Sequence, residues 1–433
     1  MHKKVLTALI AIVMLISFAA CNQVPAAPAA QPPAAQPAAP AEPEKPSEAA
    51  QPEKPAEAPA DQGEFKIGIS VSFTGGGAQN GLEAINAVKM ALDEINAQGG
   101  FNGAKGVLAT LYDSKESTEE AVRTALKLTQ TEDVDAVIAS QVSSEVLAAG
   151  KTYNDAKIFT IGMGTSATWM KQGWEYLIRG SVNYDFVAPN VVDMISEMGI
   201  TKLAVMKDQS EAALSFADKF AELTKEKGIE ILITESCETT DTDLTAQVAR
   251  ILATNPQTIF ISMTSVDAGY FVRQVRQAGY TGLIFDKESF FASMVAIAGE
   301  ENSNYILFAN PYVTYAKLED STIPNMTEFL KKYEAIHGYL PKTEIGYRAY
   351  DSTMVIWEAT KIAGSNETEA MRAAVPKIKI EGLGGTMDYS NGDGEPYHNV
   401  RKFILIDGVN YDWEEWMKAG NYEKYKQETG NEY

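Results

Sequence analysis

Short apolar runs alternate with longer amphipathic segments along most of the chain. The first run is residues 65–71, and in the segment that follows, residues 81–98, apolar side chains recur at Ile85, Val88, Leu92 and Ile95. Spacings of three and four residues place side chains on one face of a helix, so this pattern predicts a strand followed by a helix. The alternation continues with predicted strands at residues 106–112, 134–139 and 157–161, and predicted helices at residues 116–129 and 144–154.

The same alternation restarts near residue 203. Predicted strands lie at residues 203–206, 230–234, 258–262 and 283–285, with predicted helices at residues 212–227, 244–253 and 268–278. Short buried strands that alternate with amphipathic helices are typical of a parallel sheet covered on both faces. We therefore predict an α/β fold, and the two tandem arrays predict two similar lobes.

The N-terminus predicts an export signal. Residues 1–4 carry two lysines, residues 5–18 are apolar, and small residues precede Cys21. Fourteen residues span about 21 Å as a helix, less than the ~30 Å hydrocarbon core, so a permanent transmembrane helix is the weaker prediction. Small residues before a cysteine resemble the lipobox of bacterial lipoproteins, although Phe18 replaces its usual leucine. We expect residues 1–20 to be removed and Cys21 to be acylated; the alternative is a plain signal peptide with an incidental cysteine.

Residues 21–63 predict a disordered tether. They hold 11 of the 18 prolines, together with repeated Ala, Glu and Gln, and no aliphatic side chain larger than Ala follows Val24. Such a composition cannot bury enough apolar surface to fold. At about 3.1 Å per residue the tether could hold the folded part as far as ~130 Å from a membrane anchor.

Charge and composition exclude several classes of function. The net charge of -21 opposes a phosphate backbone, so we expect no nucleic-acid partner. Three histidines and two cysteines lie far apart in sequence, which disfavours a zinc site or a catalytic Cys/His pair. The glycines at residues 75–77 fit no phosphate-binding motif, and no nucleophile elbow is present. We therefore expect no enzyme activity, no cofactor and no bound metal.

Polar groups follow five of the predicted strands, at residues 72–80, 140–144, 162–166, 262–265 and 286–289. Ligands of open parallel sheets lie outside the carboxyl ends of the strands. Hydroxyl and N–H donors at helix starts suit a carboxylate, and the acid Glu288 suits an ammonium group, so the pattern predicts a site for a zwitterion. In the alternative interpretations, Ser143 or Ser144 only caps a helix, and Glu288 is a surface acid paired with Lys287.

Several segments carry a resemblance to a known family. They include FKIGISVSFTGGGAQNGLEAINAVKMALDEINAQGGFNG, VDAVIASQVSSEVLAAGKTYNDAKIFTIGMGTS, GWEYLIRG and AYDSTMVIWEAT. These resemble the branched-chain amino-acid type of periplasmic binding protein, the type I substrate-binding proteins of ABC importers, from residue 65 to about residue 407. The resemblance implies two Rossmann-like lobes joined by three hinge crossings, which we expect at residues 64–183 plus 312–385 and residues 184–311 plus 386–433.

The resemblance also implies ligand contacts. Ser143 would donate to a ligand carboxylate, Met163 and Thr165 would add backbone and hydroxyl contacts, and Glu288 would hold an ammonium group. A shift of one residue would bring in Ser166. Two further expected contacts depart from the family pattern: Asn80 stands where a tyrosine is usual, and Thr264, with Ser265, replaces an aromatic pair. These departures leave the preferred ligand side chain open.

The sequence thus predicts an extracytoplasmic, lipid-anchored solute-binding protein on the cell surface or in the periplasm. It would pass an amino acid, branched-chain or a similar small zwitterion, to the permease and ATPase subunits of an ABC importer and would catalyse no reaction. The alternatives are a ligand sensor that acts through a receptor, a binder of a small carboxylate or amide that is not an amino acid, and, less favoured, a nucleotide-dependent enzyme.

Overall fold

The computed structural model describes residues 63–239, 241–264 and 266–431. The predicted signal segment, Cys21 and nearly all of the predicted tether lie outside these residues. Within them, no helix is both long and apolar enough to cross a bilayer.

The first sheet has five parallel strands in the order β2-β1-β3-β4-β5. They are β1 (Glu64–Val71), β2 (Lys105–Asp113), β3 (Ala136–Ala139), β4 (Phe159–Gly162) and β5 (Leu177–Arg179). Helices α1 (Ala78–Ala97), α2 (Thr118–Gln130) and α3 (Ser143–Asp155) connect them. Every residue of β3 and β4 is buried, as expected for parallel strands with helices on both faces.

The chain then builds a second parallel array. Its strands are β6 (Lys202–Lys207), β7 (Glu230–Ser236), β8 (Thr258–Ser262), β9 (Ile284–Asp286) and β10 (Ile306–Asn310). Its helices are α4 (Tyr184–Glu197), α5 (Glu211–Glu226), α6 (Thr245–Ala253), α7 (Val266–Gln277) and α8 (Ala292–Ala298). Ser210 starts α5, since its side chain accepts a hydrogen bond from the Ala213 N–H.

After β10 the chain returns to the first sheet and then leaves it again. Helix α10 (Ile345–Ala363), which follows α9 (Pro324–His337), packs along α1 and against β3. The chain continues through α11 (Thr368–Ala374) into a small antiparallel sheet of β11 (Lys379–Gly382), β12 (Gly385–Asp388) and β13 (Tyr397–His398). With the passage from β5 to α4, the chain crosses between the two large sheets three times within the described residues.

The last strands complete the second sheet on its antiparallel side. Strands β14 (Arg401–Ile406) and β15 (Val409–Asp412) give the order β15-β14-β10-β9-β8-β6-β7, and β14 runs antiparallel to β10. Helices α12 (Trp413–Lys418) and α13 (Asn421–Thr429) follow. The predicted α/β fold with two parallel arrays is confirmed. We call the first sheet with its helices the first lobe and the second sheet with its helices the second lobe; the predicted residue limits of the lobes stay a prediction.

Candidate functional site

The carboxyl ends of the two sheets face one another, and the lobes are in direct contact there. Ser166, which follows β4, donates a hydrogen bond from its hydroxyl to Oε1 of Glu211 at the start of α5, over 3.1 Å. The Thr165 carbonyl accepts the N–H of Tyr184, the first residue of α4, also over 3.1 Å. Residues 163–166 therefore lie at the boundary between the lobes.

Ser143 is organised by this same loop. Its hydroxyl oxygen accepts the N–H groups of both Thr165 and Ser166, each over 3.1 Å. The helix cap of α3 is Val142 and makes no side-chain capping bond, so the capping interpretation of Ser143 is wrong. An oxygen that accepts two hydrogen bonds still carries its own proton. Among the described residues that O–H has no acceptor, so Ser143 presents a donor held in one place.

The carbonyl groups of residues 163–166 are all engaged by protein donors. The Arg179 guanidinium donates to the Gly164 carbonyl and, over 2.7 Å, to the Ser166 carbonyl. Arg348 donates to the Met163 carbonyl over 3.4 Å, and the Thr165 carbonyl is the one bound by α4. The free polar groups of this loop in the described structure are therefore donors, the Gly164 N–H and the Thr165 hydroxyl. We call Ser143 with residues 163–166 the first wall.

Arg179 itself is held by a buried ion pair. Its Nε lies 2.7 Å from Oε2 of Glu395, and its guanidinium stacks 4.2 Å from the Trp169 ring centre. Glu395 also accepts a hydrogen bond from Asn183, so the pair ties together the first and third chain crossings. A charge-assisted, bidentate contact of this kind fixes geometry more tightly than a neutral one.

The second lobe presents three ionisable residues in sequence, Asp286, Lys287 and Glu288, which we call the second wall. Glu288 is only 6% exposed, so the interpretation of it as a surface acid is wrong. Its two oxygens are both engaged, Oε1 by Nζ of Lys287 over 2.5 Å and Oε2 by the Tyr184 hydroxyl over 2.5 Å. Burial and the Glu288 carboxylate raise the pKa of Tyr184 to about 12, which keeps its hydroxyl protonated as the donor.

Asp286 is fully buried, and within the described part of the chain its Oδ2 has no hydrogen-bond partner. Burial raises the pKa of Asp286 well above its usual value, which outweighs the attraction of the Lys287 charge. Burial therefore disfavours the ionised form of this carboxyl group.

Further acids lie on the second lobe beside the second wall. Asp208, which follows β6, accepts hydrogen bonds at Oδ2 from the N–H and hydroxyl of Thr264, over 2.6 and 2.7 Å. Asp267, in the first turn of α7, is 2% exposed. Burial and the neighbouring charges of Asp208, Asp241 and Glu116 raise the pKa of Asp267 to about 8.

The structure brings some of the predicted contact residues together and separates others. Ser143, Thr165 and Ser166 are joined by hydrogen bonds, and the fully buried Met163 begins their loop. Asn80 lies half-buried in the first turn of α1, and its side chain makes no hydrogen bond to another described residue. Thr264 directs its polar groups to Asp208, as described above. The ligand contacts predicted for all seven residues stay predictions.

Sequence reasoning missed the residues that organise the walls. Arg179, Tyr184 and Glu395 carried no periodic signal, although Arg179 is the second-last residue of the GWEYLIRG segment. A second omission is Glu145 on α3, a buried carboxylate that accepts the hydroxyls of Ser72, Ser114 and Ser140. Those serines follow β1, β2 and β3, so a hydroxyl at each of three adjacent strand ends was the available signal. No group of histidine, cysteine or acidic side chains within the described ranges is arranged to hold a metal ion.

Comparison with known proteins finds curated relatives over most of the chain. The Leu/Ile/Val-binding protein homolog 8 of Brucella melitensis is 25% identical over 357 residues, which are 79% of this chain and 87% of the relative. The Leu/Ile/Val-binding protein homolog 7 of Brucella abortus is 23% identical over 360 residues, 80% of this chain and 89% of the relative.

Solved structures share the fold at low identity. LivJ, a branched-chain amino acid transporter substrate-binding protein of Streptococcus pneumoniae in complex with isoleucine, gives a TM-score of 0.71 at 24% identity and covers 80% of this chain and 97% of its own. A solute-binding protein of an ABC transporter from R. palustris, in complex with benzoate, gives 0.71 at 18% identity and covers 81% and 95%. The sequence model described as "Periplasmic binding protein" matches residues 64–406. The chain therefore belongs to the periplasmic binding protein family.

Proposed function

We propose that this protein is the solute-binding component of an ABC importer and that it holds a small carboxylate-bearing solute between the two walls. The observation that carries the proposal is the first wall. Within the described part of the chain, no acceptor engages its Ser143 O–H, Gly164 N–H or Thr165 hydroxyl, while all four carbonyls of residues 163–166 are engaged by protein donors. Donors fixed before the ligand arrives suit a carboxylate, since little ordering is needed on binding.

Two classes of ligand share that carboxylate. An amino acid is the class that the sequence predicted, and the names of the Brucella relatives and of the isoleucine complex support it. In that class Glu288 holds the ammonium group, which requires it to exchange Lys287 for the ligand. An acid without an amino group is the second class, favoured by the Lys287–Glu288 contact and by the benzoate complex.

Delivery to a permease and its ATPase, from a lipid anchor at Cys21, completes the proposal. The family and the ABC-transporter neighbours support an extracytoplasmic location and a transport partner. In this arrangement the Ala/Pro-rich segment lets the folded part range over the membrane without crowding the permease.

A ligand screen tests the binding claim. Thermal unfolding of the protein is followed with each member of a set of amino acids, 2-oxo acids, aromatic acids and amides, and each positive result is followed by calorimetry. A ligand at about 100 times its dissociation constant adds about 2.7 kcal/mol of stability, a readily measured shift in melting temperature. If only amides stabilise the protein and no carboxylate does, the carboxylate claim is wrong.

A membrane assay tests the anchor separately. Cys21→Ser, expressed in a bacterial host, is expected to move the protein from the membrane fraction to the soluble extracytoplasmic fraction without changing its ligand affinity. Cys237→Ser is the matched control, because that thiol is buried near the second lobe and lies far from the signal segment in sequence. Unchanged membrane association of Cys21→Ser would contradict the anchor.

A further inference from the structure

Lys287 is an unusual side chain for the middle of a cleft. It lies directly after β9, at the carboxyl edge of the second sheet, and its side chain is 0% exposed. Its ammonium group contacts Glu288 over 2.5 Å and the Tyr184 hydroxyl over 3.4 Å, and lies 5.3 Å from the Tyr184 ring centre. The carboxylate, the hydroxyl and the ring face together surround the cation much as they would surround the ammonium group of a ligand.

The charges of Lys287 and Glu288 already cancel one another. Lys287 contributes one positive charge and Glu288 one negative charge, and burial disfavours the ionised form of Asp286. Burial lowers the pKa of Lys287, but attraction to its neighbours, the Glu288 carboxylate foremost, outweighs that effect and holds the pKa above its usual value, so the ammonium keeps its proton. Nearby cations are balanced as well, since Arg179 pairs with Glu395 and Arg348 with Glu344.

We infer that Lys287 is an internal cation that occupies on Glu288 the place an amino acid's ammonium would take, so that the cleft selects carboxylates without an amino group. This inference rests on the proposed function, because it names the class of solute that the first wall receives. The ligand carboxylate then binds the donors of the first wall, and Lys287 determines the specificity between acids with and without an amino group.

The physical reason is the cost of a second cation. A ligand ammonium that reached Glu288 would lie beside the Lys287 ammonium in a region closed to water, where like charges repel strongly. Displacing Lys287 from Glu288 would instead leave a fully buried cation without its partner. That loss costs more free energy than the new contact between the ligand ammonium and Glu288 provides. A ligand that lacks the amino group meets neither penalty and leaves the Lys287–Glu288 pair intact.

Matched ligand pairs test the inference on the unmodified protein. Affinities are measured by calorimetry for leucine against 4-methylpentanoate, phenylalanine against 3-phenylpropanoate, and alanine against propanoate, with benzoate added. Within each pair only the amino group differs. We expect the acid without an amino group to bind at least about tenfold more tightly in every pair that binds, a difference of about 1.4 kcal/mol. Tighter binding of the amino acid in any pair overturns the inference and leaves the proposed function standing.

Substitution of the lysine tests its role directly. Lys287→Met keeps the length and apolar stem of the side chain but frees Glu288 and Tyr184, so leucine should gain about tenfold over 4-methylpentanoate relative to the unmodified protein. Lys207→Met is the matched control, since Lys207 ends β6 at the same edge of the same sheet. It should leave the ratio unchanged. A purely structural lysine would weaken both ligands alike, so an unchanged ratio for Lys287→Met overturns the inference.

Two further outcomes are a Lys287 variant that does not fold and an unmodified protein that binds no carboxylate. If Lys287→Met does not fold, Lys287→Gln replaces it, because its side-chain amide removes the positive charge and can still donate a hydrogen bond to Glu288. It should bring leucine and 4-methylpentanoate to within about threefold of each other, and a retained tenfold preference for 4-methylpentanoate overturns the role of Lys287. If no carboxylate of either kind binds the unmodified protein, the proposed function itself fails, and the inference fails with it.

Discussion

The two walls differ in where their charged groups lie. The first wall offers neutral donors, and its charged supports, Arg179 and Glu395, lie behind the loop and pair with each other. The second wall places its charges directly at the strand end, where Lys287 and Glu288 neutralise one another. Neutral donors recognise the carboxylate group that many solutes share. Paired charges discriminate among solutes because they disfavour a ligand that brings an additional charge.

Because the two walls differ in this way, substitutions in them should have different effects. Behind the first wall, loss of a support should damage the fold and the loop together, because one guanidinium holds two carbonyls and a carboxylate. On the second wall, removal of a charge should change selectivity or pH response more than it changes the architecture. The following predictions test that division, from the largest expected effect to the smallest.

Arg179→Met should give the largest loss of stability. It leaves the buried Glu395 carboxylate without its positive partner and the Ser166 carbonyl without its donor, and breaking a buried pair costs about 3–5 kcal/mol. Urea unfolding measures the change. Arg372→Met is the control, because that arginine is paired with Glu369 at the surface, where about 0–1 kcal/mol is expected. Equal losses in the two variants would show that the first wall does not depend on its buried support.

Ser143→Ala should weaken every carboxylate ligand. It removes one donor to a charged group, worth about 1.5–3 kcal/mol, and it leaves the N–H groups of Thr165 and Ser166 without their shared acceptor, so affinity should fall at least about 10-fold for amino acids and plain acids alike. Calorimetry with the best ligand of each class measures the effect, and Ser144→Ala, one residue along α3, should have almost none. A loss confined to one class would break the proposed division between the walls.

Asp267→Asn should become more stable than the unmodified protein as pH rises. The pKa of Asp267 is raised to about 8 in the folded protein, above its unfolded value of about 4, so its stabilising contribution is complete below about pH 4 and is lost progressively between about pH 4 and pH 8. The variant should therefore melt at a higher temperature than the unmodified protein above about pH 8 and at the same temperature below about pH 4. Asp218→Asn, on the exposed side of α5, should show no such dependence. A constant difference at all pH values would contradict the raised pKa.

Glu211→Gln should have the smallest effect. It weakens the one contact described between Ser166 and α5, from a charge-assisted to a neutral hydrogen bond, so ligand affinity should fall only about two- to threefold. Glu222→Gln, farther along α5 and paired with Lys219 at the surface, is the control. A loss above about tenfold in calorimetry would mean that closure, more than either wall, governs affinity.

Much of the fold was predictable because it rests on local periodicity. The apolar spacing of residues 81–98 and the short run at residues 65–71 became α1 and β1 with small shifts at their ends. The antiparallel strands β14 and β15 and the small sheet of β11–β13 were not predicted, because residues 379–412 have no regular alternation of strand and helix. Of the site, the sequence identified the strand ends and predicted Ser143 and Glu288 as ligand contacts, but it could not exclude a helix cap at Ser143 or a surface position for Glu288. The structure excludes both, because Val142 is the cap of α3 and Glu288 is buried.

The sequence by itself determined the α/β class, the two tandem arrays and the strand ends at which polar groups gather, because hydrophobic period and strand order are properties of the chain. Only the tertiary structure decided which of those groups are free. Ser143 and Thr165 are 22 residues apart, and Arg179 and Glu395 are 216 apart, yet each pair touches. Whether a hydroxyl or a carboxylate can meet a ligand depends on what else already binds it, and in a packed interior that partner comes from distant parts of the chain.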